Sequence, residues 1–227
     1  MKTSDDAQTL CEITFLSSEV FKFLCICNER NFYKLFLFSN TMENEPILKR
    51  PEGFMNERIE SERLLLIPTT LEHKNDFFKE FTSDITTFMY PAPAKDISET
   101  EEFIKNSLKG LEDGSNLQLT VTAKDSGEFL GGGGLHHVDK KTPELGIWIK
   151  KSAHGNSYGK EAMIAVKKWA DANLDYDYIL YPVDEENIAS RKIAESLGGR
   201  VENKYDEENQ SGATLHIIEY RIYPDRK

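Results

Sequence analysis

Cysteine is scarce in this 227-residue chain and is confined to its beginning. The three cysteines are Cys11, Cys25 and Cys27. A secreted disulfide framework needs cysteines spread through the fold, and a zinc site needs more ligands at suitable spacing. No cysteine follows Cys27, so no cysteine nucleophile operates in the rest of the chain. We therefore expect a reduced, cytoplasmic protein that binds no metal.

Basic charge and long apolar runs are also lacking. The chain has 28 Lys and Arg against 39 Asp and Glu, a formal net charge of −11. Because a nucleic-acid-binding protein normally presents a basic face, we expect no nucleic-acid partner. A membrane helix needs about 18 uninterrupted apolar residues, but charged residues interrupt the Phe- and Leu-rich segment 13–38. We expect no membrane span and no signal peptide.

The chain divides into two unequal parts. Residues 1–57 are aromatic-rich without a clean period, and they end in a polar stretch that contains Pro46, Pro51 and Gly53. A composition shift followed by such breakers indicates a boundary. We predict an N-terminal extension of uncertain order over 1–57 and one domain over 58–227. Residues 1–41 are either a dispensable or wrongly assigned start before Met42, or a small helical element packed on the domain.

From residue 60 onward, apolar spacing and turn residues follow a regular order. Residues 63–68 predict a short strand. Residues 69–72 (Thr-Thr-Leu-Glu) and 98–101 (Ser-Glu-Thr-Glu) have the pattern of helix capping boxes, in which a hydroxyl and a carboxylate bind free amides. Apolar residues recur at helical spacing after each box. They are Leu71, Phe77, Phe78 and Phe81, and then Ile104, Leu108 and Leu111.

The second half of the chain predicts alternating strands and helices. Strands are predicted over 117–123, 129–137, 144–149 and 176–183, helices from about 159 and over 187–197, and a final hairpin over 199–223. The order is one strand, two helices, three strands, a helix, a strand, a helix and two strands. This order predicts a mixed α/β (α+β) fold with a central sheet.

A strand, a glycine-bearing loop and a helix start follow one another between residues 144 and 162. The loop, residues 154–160, leaves several backbone amides unpaired at the positive end of the helix dipole. Such a loop suits a pyrophosphate group. Its two glycines, Gly155 and Gly159, suit a simple tight turn equally well. The loop alone leaves both interpretations open.

These elements resemble the GCN5-related N-acetyltransferase (GNAT) family, in particular its ribosomal-protein-alanine N-acetyltransferase-like branch. The matching motifs are residues 59–66, 144–149, 155–162, 187–191 and 195–198. The resemblance covers about residues 59–224 and none of 1–57. It implies a GNAT-like mixed central sheet with flanking helices, acetyl-coenzyme A as co-substrate, and an amine as acetyl acceptor.

The resemblance also assigns the coenzyme-binding residues. The family's loop amides hold the pyrophosphate, which here implies His154, Gly155, Asn156, Ser157, Tyr158, Gly159 and Lys160. The pantetheine arm pairs with the preceding strand like an added strand, which here implies the backbones of Ile147, Trp148 and Ile149. The family usually has Arg or Gln where His154 stands and Gly where Ser157 stands. Serine lacks glycine's freedom at positive φ, although its hydroxyl can donate to a phosphate.

Three further residues are candidates for the site. Asn187 suits a helix N-cap, and the resemblance adds a contact with the cofactor arm. Ser190 is either a small packing residue or, by resemblance, the hydroxyl that protonates the departing thiolate. Glu144 is either a solvated strand end or the carboxylate that deprotonates the amine through water. The family transfers acetyl directly, a backbone N–H binding the oxyanion where the strand splays, without a covalent enzyme intermediate.

Several other motifs are assigned no chemistry. The four glycines 131–134 are followed by no helix start, so they predict a bulge or a close backbone approach. Because adjacent strand residues point to opposite faces, His136 and His137 do not predict a metal site. Cys25 and Cys27 lack partners for redox or metal chemistry, and the acidic residues of the last hairpin predict a solvated turn.

Two functions therefore compete. The leading hypothesis is an acetyl-coenzyme A-dependent N-acetyltransferase whose acceptor is a protein α-amine or a small-molecule amine. The alternative is a non-catalytic acyl-coenzyme A-binding or interaction protein on the same scaffold, motivated by His154 and Ser157. We expect either protein to be a monomer or a homodimer.

Overall fold

The computed structural model describes residues 53–225 of the chain. Within this range the strands are β1 (Ile59–Glu60), β2 (Leu64–Pro68), β3 (Leu117–Ala123), β4 (Phe129–His136), β5 (Glu144–Ile149), β6 (Ile179–Asp184), β7 (Arg200–Glu208) and β8 (Thr214–Ile222). The α-helices are α1 (Lys74–Glu80), α2 (Ser83–Thr86), α3 (Ile97–Asp113), α4 (Tyr158–Asn173) and α5 (Ile188–Ser196). The cysteines and most of the predicted extension lie outside the described residues, so the boundary at residue 57 stays a prediction.

The strands form one mixed sheet in the order β1-β2-β3-β4-β5-β6-β8-β7. Neighbouring strands are antiparallel except β5 and β6, which are parallel. Parallel strands need a long crossover connection, and α4 provides it between β5 and β6. The predicted GNAT-like mixed central sheet with flanking helices is confirmed.

The core lies between the sheet and the helices. Helix α4 buries Ala162, Met163, Val166 and Ala170, each with no exposed surface. Ahead of β1, Phe54 is 1% exposed and packs edge-on against Trp169, with ring centroids 5.5 Å apart. The first described residues are therefore part of this core.

Both predicted capping boxes are shifted along the chain. Thr69 pairs with the sheet instead, because its N–H donates to Gln118 and its hydroxyl lies 3.0 Å from that of Thr120. The helical turn starts after Thr70, whose N–H donates to Nδ1 of His73 at 3.0 Å, so the predicted partner Glu72 is wrong. Helix α3 is likewise capped earlier than predicted, by Asp96. Sheet pairing of Thr69 moved the first cap, and the earlier Asp96 capped α3 in place of the predicted Ser98.

Other element bounds also differ from the predictions. Strand β6 begins at Ile179, three residues after the predicted start, and the Tyr176 hydroxyl bonds Asp171 of α4. Strand β7 runs on to Glu208, and the sequence patterns missed β1 and α2. No helix within residues 53–225 is long and apolar enough to span a membrane.

Candidate functional site

Strands β5 and β6 touch at one point and then separate. Their paired Cα atoms are those of Glu144 and Leu180, and the Leu180 N–H donates to the Pro143 carbonyl at 2.8 Å. Beyond this pair, the described strands have no further aligned residues. The carboxyl half of β5 therefore faces a gap where a neighbouring strand would otherwise lie.

Alternate residues of β5 present their backbone groups to this gap. The carbonyls of Gly146 and Trp148 lie against β4, because a Cβ built on Gly133 or Gly131 of β4 would come within 2.5 or 2.1 Å of them, respectively. In an antiparallel pair the intervening residues face the other way, so Ile147 and Ile149 face the gap. Trp148 is among the predicted backbone contacts, but its carbonyl points to β4. Of the three predicted residues, only Ile147 and Ile149 therefore present their backbone groups to the gap.

The loop that follows β5 contains two left-handed residues. Gly155 has φ 82° and Ser157 has φ 62°. This region favours glycine, because a Cβ there crowds the backbone. Ser157 stands at the N-cap of α4 but forms no capping hydrogen bond through its side chain. Its hydroxyl is therefore available to a ligand.

Six consecutive backbone amides in this loop, residues 155–160, have no acceptor among residues 53–225. The first amide to join the helix is that of Glu161, which donates to the Ser157 carbonyl at 3.1 Å. Unpaired amides at a helix N-terminus lie at the positive end of the helix dipole. They form a binding site for an anion, phosphate in particular.

These amides border a cavity of about 510 Å³ between β5, the loop and α5. Most of the predicted coenzyme-binding residues line it, namely Ile147, Trp148, Ile149, His154, Gly155, Ser157, Tyr158, Gly159, Lys160 and Asn187. Lys192 of α5 lines it as well, and neither Lys160 nor Lys192 forms an ion pair within the described residues.

Two predicted loop residues have structural contacts of their own. The side-chain amide of Asn156 donates to the Ala153 carbonyl at 3.1 Å, which closes the turn, and Asn156 does not line the cavity. The ring Nε2 of His154 lies 2.7 Å from the Ile149 carbonyl, one of the backbone groups at the gap. His154 therefore ties the loop to the end of β5.

An arginine just before β2 holds the loop from the other side. Arg63 donates to the Glu161 carboxylate, with its Nε at 2.7 Å, and to the Asn156 carbonyl at 3.1 Å. Its guanidinium also lies 4.7 Å from the centre of the Tyr158 ring. Burial alone would raise the pKa of Glu161, but hydrogen bonds from Ser61 and Arg63 lower it overall. Glu161 is therefore an anion that is paired with Arg63.

Helix α5 supplies the polar groups opposite β5. The Asn187 side-chain oxygen accepts from the Ser190 N–H at 3.1 Å, which is an N-cap contact, and its amino group has no acceptor among the described residues. The Ser190 hydroxyl lies 2.9 Å from that of Tyr181 on β6. Burial raises the pKa of Tyr181 to about 12, although the Ser190 contact opposes the rise. Tyr181 therefore keeps its proton at neutral pH.

Glu144 lies in an adjoining cavity of about 470 Å³, which Tyr181, Ser190, Tyr205 and Glu207 also line. Burial, together with the nearby Glu207, raises the pKa of Glu144, and His137 opposes the rise. A raised pKa makes the carboxylate a stronger base. Its carboxylate has no hydrogen-bond partner in the part of the chain that the structure describes.

His136 stands directly across from Glu144, with the two residues paired between β4 and β5. Burial lowers the pKa of His136, and so does the neighbouring His137. Its imidazole is therefore neutral at neutral pH. No group of three or more His, Cys, Asp or Glu side chains within residues 53–225 is placed to hold a metal ion.

A family model described as an acetyltransferase (GNAT) domain matches residues 63–200, more than half of the chain. The chain belongs to the GNAT family. A curated relative, the uncharacterized N-acetyltransferase p20 of Bacillus licheniformis, is 25% identical over 173 residues, which are 73% of this chain and 96% of the relative. The predicted enzyme class, an acetyl-coenzyme A-dependent N-acetyltransferase, is confirmed.

Solved structures agree with the GNAT fold. One is RimL, a ribosomal L7/L12 α-N-protein acetyltransferase in complex with coenzyme A, with a TM-score of 0.68, 15% identity and coverage of 75% of this chain and 100% of that one. Another is the microcin C7 self-immunity acetyltransferase MccE in complex with acetyl-coenzyme A and AMP, with a TM-score of 0.64, 16% identity and coverage of 72% and 93%.

Neither Tyr181 nor the contacts of Arg63 could be recognised from the sequence of this GNAT chain. Tyr181 sits inside an apolar strand pattern that indicates burial and gives no sign of a hydroxyl partner. Arg63 belongs to the opening motif of the resemblance, yet nothing local predicts its contact with Glu161, 98 residues away. His136 was weighed only as a metal ligand, since its strand neighbour Glu144 cannot be known without the register.

Proposed function

We propose that this GNAT enzyme transfers the acetyl group of acetyl-coenzyme A directly to a primary amine, either a protein N-terminal α-amine or a small-molecule amine. The observation that carries the proposal is the row of six unpaired amides, residues 155–160, beside the gap next to β5. Family membership establishes acetyl transfer in general. The acceptor, the mechanism and the residue roles are what we propose.

The cavity next to the loop fits the coenzyme in charge and shape. The amides of 155–160 would hold the pyrophosphate, and the ammonium groups of Lys160 and Lys192 would compensate phosphate charge in an otherwise acidic protein. The backbones of Ile147 and Ile149 would pair with the pantetheine amides like an added strand. Two similar structures hold coenzyme A or acetyl-coenzyme A, which supports this placement.

The acceptor amine must lose a proton before or during attack on the thioester. A lysine amine has a pKa near 10.4 and an α-amine one of about 8, so both are mainly protonated at neutral pH. Glu144 is the candidate base, directly or through water, because burial raises its pKa toward neutral pH. General base catalysis of this kind contributes typically about 10²–10⁴-fold. Glu207 adds negative charge that favours a cationic acceptor in the same cavity.

The departing thiolate needs a proton from the enzyme. Ser190 is the candidate donor, and the Tyr181 hydroxyl lies 2.9 Å from it. Tyr181 can pass a proton to Ser190 as it receives one in turn, and the proton that Glu144 takes from the amine balances the transfer. Because both side chains line the cavity that contains Glu144, the proton donor and the base face the same space. Asn187 lines both cavities, and its unpaired amino group suits a carbonyl of the pantetheine arm.

A specific observation favours the alternative, a non-catalytic acyl-coenzyme A-binding protein. Ser157 adopts a strained φ of 62°, and His154 already occupies the Ile149 carbonyl that pantetheine would use. Both features bear on cofactor affinity and leave Glu144 and Ser190 in place.

The location in the cytoplasm and the monomeric or homodimeric state stay predictions.

Gly159 allows a test of the loop assignment. A Cβ at this position would lie 3.3 Å from Cδ1 of Ile193 and 3.6 Å from Cγ1 of Ile149. Alanine fits if the Ile193 side chain gives slightly, whereas the two methyl groups of valine press on both neighbours and cover the amides. We expect Gly159→Val to weaken acetyl-coenzyme A binding at least tenfold by calorimetry, with Gly159→Ala much closer to wild type.

Two results would decide against the proposal. Tight acetyl-coenzyme A binding by a folded Gly159→Val variant would place the cofactor elsewhere. If the wild-type protein binds acetyl-coenzyme A but releases no thiol across a broad panel of amines, including peptide N-termini, the non-catalytic alternative is correct. Mass spectrometry of the acetylated products identifies the acceptor.

A further inference from the structure

A second cavity of about 450 Å³ adjoins the one that contains Glu144. The two share Met89, Pro91, His136, Gly146 and Ile147, so they lie on the same surface of the sheet side by side. We call the second cavity the aromatic chamber, because its wall includes Phe77, Phe78, Phe81, Phe103 and Trp148.

The rings of this chamber pack against one another around Trp148. The ring centroids of Phe81 and Phe77 lie 5.0 and 5.4 Å from that of Trp148, both in edge-to-face arrangement. Such contacts are favourable geometries for aromatic pairs. They hold the wall in place, so the chamber is a preformed apolar pocket of the kind that binds a ring.

The floor of the chamber is bare sheet. Gly146 of β5 pairs with Gly134 of β4, which pairs in turn with Gln118 of β3. A Cβ on Gly146 would meet only the His136 Nε2, at 3.8 Å, so no side chain covers this position. Two strand spacings are about 10 Å. Gly146 and Gln118 both line the chamber. A flat ligand can therefore lie between them, with one end near the gap at β5 and the other at Gln118.

Gln118 offers unpaired polar atoms at the far end of this floor. Its side chain is 5% exposed, lines the chamber and bonds to no side chain or backbone group within residues 53–225. No described side-chain nitrogen or oxygen is both sealed from solvent and without a partner, so the Gln118 amide reaches the cavity. Thr100, 6% exposed, lines the same cavity, and its hydroxyl has no described partner either. Buried polar groups are normally hydrogen-bonded, so these two point to a polar group on the ligand.

We infer that the aromatic chamber holds the acceptor's side group and selects a primary amine that carries an aromatic ring with a hydrogen-bonding tip, such as a phenol. The amine lies at Glu144, the ring crosses Gly146 beside Trp148, and the tip reaches Gln118. This inference rests on the proposed acetyl transfer. The same chemistry occurs in a free phenolic amine and in a peptide that begins with tyrosine.

The test compares acceptors that differ by one hydroxyl. The kcat/KM values are measured for tyramine against phenethylamine, and for peptides that begin with Tyr against the same peptides that begin with Phe. A site built to bond a hydroxyl discriminates strongly against the analogue that lacks it. We expect wild type to prefer the hydroxylated member of at least one pair by about tenfold or more, the value of one net hydrogen bond of about 1.4 kcal/mol.

Gln118→Leu removes the amide and keeps an apolar side chain of similar size. We expect the ratio of the two kcat/KM values to fall close to one in this variant. The kcat/KM should decrease for the hydroxylated acceptor and stay the same for the acceptor that lacks the hydroxyl. Gly146→Val places two methyl groups on the floor, and we expect it to reduce kcat/KM more for the aromatic amines than for ethylamine. Acetyl-coenzyme A binding by each variant shows that the fold and the cavity between β5, the loop and α5 are intact.

The possible outcomes separate this inference from the proposed function. Acetylation of ethylamine and the aromatic amines alike, or a Gln118→Leu variant that keeps the wild-type preference, overturns the aromatic chamber but leaves acetyl transfer standing. If none of the tested amines leads to thiol release, the proposed function is overturned. In that case tyramine binding in the presence of coenzyme A, read from Trp148 fluorescence in a Trp169→Phe background, still tests the chamber, and unchanged fluorescence overturns it. A preference confined to tyramine or to the Tyr peptide identifies the source of the acceptor.

Discussion

Arg63→Met tests whether an arginine outside the cofactor cavity sets cofactor affinity. Arg63 contacts the loop and its helix at three places, the Glu161 carboxylate, the Asn156 carbonyl and the Tyr158 ring. Methionine preserves the apolar stem and removes the guanidinium. Glu161 keeps its contacts with the Ser61 hydroxyl and the Arg63 N–H, so the helix start remains anchored while the loop loses its clamp.

The magnitude follows from these contacts. A charge-assisted hydrogen bond contributes about 1.5–3 kcal/mol when shielded, and a cation–π contact about 0.5–1 kcal/mol when exposed. Because the Arg63 side chain is 46% exposed, solvent screening reduces the ion-pair part to about 1 kcal/mol or less. Removing the guanidinium therefore destabilises the loop conformation that binds the cofactor by about 1–2 kcal/mol. We therefore expect the Kd for acetyl-coenzyme A to rise by about 5- to 30-fold.

Isothermal titration calorimetry at low and high salt measures this effect. The unpaired Glu161 charge should repel the phosphates, and salt screens such repulsion, so the affinity difference should shrink at high ionic strength. Lys124→Met is the matched control, since Lys124 forms a surface ion pair with Glu60 and does not line the cofactor cavity. If Arg63→Met lowers the Tm but leaves the Kd within about twofold of the control, Arg63 only stabilises the fold and our reasoning fails.

Two further predictions concern Glu144 and Ser157. Glu144→Gln should lower kcat by about 10²–10⁴-fold with acetyl-coenzyme A binding nearly intact, and it should raise the Tm at pH 7, because burial disfavours the ionised carboxylate of the folded state. In wild type, kcat/KM should decline as the pH falls through the raised pKa of Glu144, and an unchanged turnover in the variant would exclude Glu144 as the base. Ser157→Gly should relieve about 1 kcal/mol of strain at φ 62° and raise the Tm by about 2–4 °C, whereas Ser157→Ala should leave it unchanged, since the hydroxyl forms no capping bond. Comparing the Kd of Ser157→Ala with that of wild type isolates any contact of the hydroxyl with phosphate, because this change removes only the hydroxyl. A lower Tm for Ser157→Gly contradicts the assigned strain.

The sequence by itself determined the features that depend on residues near one another in the chain. The alternation of β3 and the glycine-bearing loop before α4 were readable because strand and helix periods and helix-start chemistry are local. The N-cap at Asn187 was predicted for the same reason, and its oxygen does accept from Ser190 three residues on. Together with the motifs that resemble the GNAT family, these local features were enough to predict the fold and the enzyme class.

Only the tertiary structure decided which side chains meet. The Arg63–Glu161 pair joins residues 98 positions apart, and the row from Gly146 to Gln118 exists only because three strands pair in one register. Sheet pairing also shifted the first cap from Thr69 to Thr70, since the Thr69 hydroxyl bonds Thr120, 51 residues away. Register is set by contacts between distant segments, and a shift of one residue moves every side chain to the other face. No local pattern contains that information. The aromatic chamber and the contacts of Arg63 with the loop could therefore be found only in the folded chain.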